Sequence, residues 1–122
     1  MIKNWLLKAE KDVETAEDLY KSKHYDWCLF IWHLVIEKAL KAKILSLNKP
    51  IIYVHDLKRL ANETNIVFDQ EQIINLNEIT SFNLEARYDD YKLSFYKKAN
   101  IDYAKKWTNI CENIYRLIII NI

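Results

Sequence analysis

The stretch Tyr25–Leu47, YDWCLFIWHLVIEKALKAKILSL, decides the fold. It contains no Gly or Pro, and Trp27, Cys28, Leu29, Phe30, Ile31, Trp32, Leu34, Val35 and Ile36 make its first half apolar on nearly every side. A helix of that kind is surrounded by other helices and does not lie on a surface with one wet face. Its polar interruptions are ordered: His33, Glu37 and Lys41 recur at i, i+4 and i+8, with Glu37 N-terminal to Lys41 in the favourable ion-pair order. A polar seam on a buried helix requires partners from elsewhere in the chain or from a ligand. For His33 the two readings are a hydrogen-bonded core or interface residue and a residue touching a bound group.

Outward from this helix, the composition sets limits. A length of 122 residues suits one domain, 1–122, with a single core. Eighteen basic residues stand against 17 acidic ones, for a net charge of +1, so any nucleic-acid contact is local and not a global basic footprint. Gly is absent and Pro occurs once, which removes glycine phosphate loops and tight hairpin turns and leaves Asn as the main residue tolerant of left-handed backbone. Cys28 and Cys111 match no metal-ligand spacing and read as buried free thiols of a reduced, cytoplasmic protein. The N-terminus lacks a signal-peptide apolar core and no run reaches the roughly 20 apolar residues of a membrane span. Neither a metal nor a cofactor is expected.

Before the central helix, residues 2–21 place Trp5, Leu6, Ala9, Val13, Ala16, Leu19 and Tyr20 on one face and charges of both signs on the other. Ser22, Lys23 and His24 make the turn. After it, Asn48 and Pro50 stop the helix. Ile51–Val54 has strand composition but no second β-patterned run to pair with, and it is read as loop. His55 and Asp56 open a short helix to about Glu63, and Asp69 with Gln72 forms a capping box for a fourth helix to about Asn83. The following LEARYDDYKLSFYKKAN shows no clear period, and its tyrosines, lysines and arginine make it the most site-like segment. A last helix starts at Asn100 and carries Ile101, Ala104, Trp107, Ile110, Cys111, Ile114, Leu117 and Ile118.

No nucleophile triad or metal spacing assembles from the Ser, His and Asp residues. Arg87 stands out, because a guanidinium at a helix end beside Tyr88 and Tyr91 can take a carboxylate or phosphate bidentately. The alternative is an internal ion pair with Glu37 or Asp90.

Three segments in order, HLVIEKALKAKIL at 33–45, P-x(4)-HDLKRLA at 50–61 and FNLEARYDDYK at 82–92, with Trp107 in the final helix, resemble the HEPN domain family, in the stand-alone form encoded beside a minimal nucleotidyltransferase. The resemblance implies an all-α antiparallel bundle of four to five helices, a homodimer with a shared cleft, and a role in nucleotide or RNA transactions in a toxin–antitoxin type system. It makes a minimal nucleotidyltransferase the partner and nucleotide or RNA the ligand. Relatives that are metal-independent ribonucleases use an Arg followed within a few residues by a His. Arg87 matches that Arg, but His24, His33 and His55 all precede it. The expected site is then a binding cleft of Arg87, Tyr88, Glu37, Lys41 and His33. The alternative is a ribonuclease in which Arg87 acts with a neighbouring tyrosine, Tyr88 or Tyr91, in place of the usual His. Tyrosine has a pKa near 10 and is a poor base at neutral pH; Tyr88, Tyr91 and Tyr96 are better suited to positioning phosphate or stacking on a base.

Overall fold

A computed structural model describes residues 1–84 and 89–122, and all of its regular structure is helical. The order is α1 (Ile2–Lys21), α2 (Tyr25–Ser46), α3 (Leu57–Asn62), α4 (Gln70–Thr80), α5 (Asp89–Lys98) and α6 (Ile101–Ile120). α2 is the axis of the bundle, with α1 and α6 packed along it and the short α3 also against it.

The ends of the two first helices follow from backbone chemistry. At the end of α1, the N–H of His24 returns to the Leu19 carbonyl at 2.9 Å and that of Lys23 to Tyr20 at 3.1 Å. At the end of α2, Lys49 returns to Ile44 at 3.3 Å and Asn48 to Leu45 at 2.9 Å. This six-to-one and five-to-two pattern needs a left-handed residue at the crossover, and Lys23 (φ 65°) and Asn48 (φ 60°) supply it. Asn48 is the residue the sequence marks for this. Lys23 carries a Cβ into the same region with no side-chain advantage, so the returning bonds and the packing of α1 on α2 hold it there.

The core is formed by Leu29, Phe30, Trp32, Val35, Ile36, Leu40 and Ile44 of α2, Leu57 and Leu60 of α3, Leu76 and Ile79 of α4, and Trp107, Cys111, Ile114 and Ile118 of α6. Two residues expected inside lie at helix ends instead: Trp27, in the first turn of α2, is 44% exposed, and Ile101, the first residue of α6, is 54% exposed. Residues of a terminal turn reach past the neighbouring helices. Residues 51–54 carry no regular structure.

α4 stops at Thr80, one turn earlier than its apolar pattern suggests, and Thr80 itself accepts the N–H of Leu57 at 3.1 Å. α5 is the helix that periodicity does not reveal. Only Phe95 of it is buried, so its apolar stripe is too narrow to leave a 3.6-residue signal, and Asp89 and Asp90 in its first turn with Lys97 and Lys98 in its last suit the helix dipole instead. Glu78 of α4 accepts from Lys98 of α5 at 3.0 Å and from the hydroxyl of Tyr103 of α6, while the Lys98 ammonium lies 5.2 Å from the Tyr103 ring centre. These contacts fasten the three C-terminal helices together. No described helix is long and apolar enough to cross a membrane.

Candidate functional site

The seam on α2 is a closed polar cluster. Glu37 Oε2 accepts from Lys41 Nζ at 3.0 Å, as the i, i+4 spacing predicts. Glu37 Oε1 accepts from His55 Nδ1 at 2.8 Å. His33 Nε2 lies 3.3 Å from the His55 carbonyl oxygen and 3.8 Å from Glu37 Oε1. The Lys41 ammonium also lies 5.5 Å from the ring centre of Trp5 on α1. Glu37 and Lys41 are each 6% exposed and His33 is fully buried, whereas the His55 side chain is 64% exposed.

Burial alone would raise the Glu37 carboxyl, but hydrogen bonds from His55 and Lys41 and the charge of Lys41 outweigh it and hold the group below the ordinary carboxylate value. Burial dominates at His33 and lowers its pKa, against the opposing pull of Glu37, so the ring is neutral. A carbonyl oxygen only accepts, so the His33 proton sits on Nε2 and Nδ1 is a bare acceptor; Nδ1 is buried with no partner among the described residues. By the same reasoning the Glu37 carboxylate fixes a proton on His55 Nδ1, in a ring that is itself exposed. His55 is thus the outward face of a buried ionic cluster.

The sequence brings His33, Glu37 and Lys41 together correctly. It assigns His55 to opening α3, a task performed by Asp56, whose carboxylate accepts from Lys58 and Arg59 N–H groups. It also gives Trp5 no role beyond the apolar face of α1. No local signal marks either contact, because each joins segments that only the tertiary fold brings together. Arg87 and Tyr88 lie outside the described residues. Tyr91 is described: it donates to the Ser81 carbonyl at 2.9 Å and its ring stacks on Phe95 at 6.4 Å, tying α5 to the end of α4.

Residues 2–121 match the family model described as HEPN domain. The chain is a HEPN domain protein. As a HEPN protein it is a nucleotide- or RNA-related module of the regulatory or ribonuclease type. No curated protein sequence matches it. Among solved structures, TT1696 from Thermus thermophilus is similar with a TM-score of 0.85 over 99% of this chain and 98% of that one, at 15% identity, a likeness of fold alone.

Proposed function

We propose that this HEPN protein is a non-catalytic binding and regulatory module for a nucleotide or RNA segment, working with a minimal nucleotidyltransferase in a toxin–antitoxin type system. Arg87 and Tyr88 grip the phosphate and base, and the cluster of His33, Glu37 and Lys41 backs the cleft from inside with His55 as its solvent-facing member. The observation that carries the reading is the absence of any histidine after Arg87 in the sequence. Its cleaving relatives need an imidazole there to move the 2′-hydroxyl proton. Against Tyr91 as the partner of Arg87 in the ribonuclease alternative, which uses Tyr88 or Tyr91, its hydroxyl is donated to the Ser81 carbonyl. A paired assay of wild type and Arg87→Ala tests this. Wild type is expected to bind RNA without cleaving it and the variant to bind less well; metal-independent cleavage lost in Arg87→Ala would establish the ribonuclease instead.

The module acts as a homodimer in this reading. Exposed Ile74, Ile120 and Ile122 leave apolar surface for a second copy to cover. Light scattering at micromolar concentration is expected to give twice the mass of the 14.7 kDa chain, and a monomer mass would remove the claim.

A further inference from the structure

A cavity of about 470 Å³ lies between the turn that joins α1 to α2 and the turn that joins α5 to α6. Lys23, Tyr25 and Asp26 line it on one side, and Tyr96, Lys97 and Ile101 on the other. None of these residues belongs to the Glu37 cluster.

The two walls differ in a useful way. Tyr25 is half-buried and braced edge-on against Tyr20, with ring centres 5.5 Å apart, so it is a fixed wall. Tyr96 is 63% exposed on the solvent face of α5, with the exposed side chains of Leu93 one turn before it and Ile101 beyond. Lys23 and Lys97 are exposed and form no ion pair with any described residue. The backbone of Lys23 is locked at φ 65° by the closing bonds of α1, which fixes where its side chain leaves the chain. Asp26 is the one carboxylate among the lining residues, and it sits in the first turn of α2 where the helix dipole favours it. Two ammonium groups against one carboxylate leave a net positive rim around aromatic and aliphatic surface.

We infer that this cavity is a second nucleic-acid contact, one that takes a base of single-stranded RNA on Tyr96 and the adjoining phosphates on Lys23 and Lys97. An exposed ring accepts any base through its π face, and flexible ammonium groups take phosphate as point charges without reading sequence. Stacking on Tyr96 needs an unpaired base, so the site takes a single strand. The inference rests on the RNA-binding reading above but on different residues.

The test measures anisotropy of a fluorescein-labelled oligouridine against wild type, Tyr96→Ala, the double variant Lys23→Gln/Lys97→Gln, and Arg87→Ala, across a salt series. Stacking on Tyr96 predicts an affinity loss of about 5- to 160-fold in Tyr96→Ala. Loss of two phosphate contacts predicts that the slope of log affinity against log salt falls by about 1.4 in the double variant. The side chains of Tyr96, Lys23 and Lys97 are exposed, and unchanged circular dichroism confirms folding. If wild type binds and only Arg87→Ala weakens it, the inference is overturned and the Arg87 reading stands. If Tyr96→Ala weakens binding and Arg87→Ala does not, the inference stands and the Arg87 reading falls. Absence of binding by wild type overturns both. A change of mass by light scattering in Tyr96→Ala with unchanged RNA affinity makes the surface a contact between copies of this chain and overturns the inference.

Discussion

His33 shows how far one residue's environment departs from what its neighbours in sequence foretell. Glu37 and Lys41 are one and two turns away and would favour different charge states of the ring; burial, with Lys41 acting in the same direction, outweighs Glu37 and keeps it neutral. The consequence is a direction for stability against pH. Because its folded pKa lies below the ordinary 6.5, the unfolded chain takes up a proton first, so the His33 contribution is complete above 6.5 and declines as the pH falls below it. Glu37 acts in the same direction lower down, since its carboxyl is held below the ordinary 4.5 and its contribution is lost beneath that value. Urea midpoints are therefore expected to drop on going from about pH 7.5 to about pH 5.5 in wild type. In His33→Gln, which retains a donor for the His55 carbonyl, the drop over this range should be smaller. A midpoint in wild type that rises on acidification over this range would contradict the assignment. The thiols behave as inert core groups: burial, only partly opposed by the hydrogen bond with Thr108, pushes Cys28 up to about 11, and burial raises Cys111 as well.

At the scale of elements, the helices divide into those set by local chemistry and those set by packing. α4 begins with a complete capping box, Gln72 N–H to Asp69 at 2.7 Å and Asp69 N–H to the Gln72 side chain at 2.9 Å. α6 begins with Asn100 accepting from Tyr103 N–H at 2.9 Å. α2 begins with His24 and has no side-chain cap, so the most buried helix of the protein does not rely on a capping side chain. Asn100→Ala removes the cap of α6 and is expected to lower stability by about 1 kcal/mol, read from the shift of the thermal midpoint. The matching change His24→Ala should be close to neutral, and equal losses in the two would refute the distinction. α5 belongs to the second class, held by Phe95 against Phe82 at 5.4 Å and by Lys98 on Glu78.

For the whole molecule, stability resides in the packing of α1, α3 and α6 around α2. Leu29 is fully buried within that junction. Leu29→Ala is expected to cost about 2 to 5 kcal/mol through lost transfer energy and the cavity left behind. An unchanged denaturation midpoint in this variant would mean that α2 is not the axis of the bundle.

The sequence by itself determined that the protein is helical, that α2 is central, where α1 and α2 begin and end, where α6 begins, and that Glu37 pairs with Lys41. Each of these is a matter of spacing within a few turns, through apolar period, caps and i, i+4 neighbours. Its family motifs likewise lie in the order of the chain. Only the tertiary structure decided that His55 reaches Glu37 across 18 residues, that Trp5 faces Lys41, that residues 89–98 form a helix, and that Tyr96 meets Lys23 at one cavity. Those contacts join segments whose separation in the chain carries no periodic signal. Their energy comes from burying α2 on all sides, which pulls distant loops and helix ends against it.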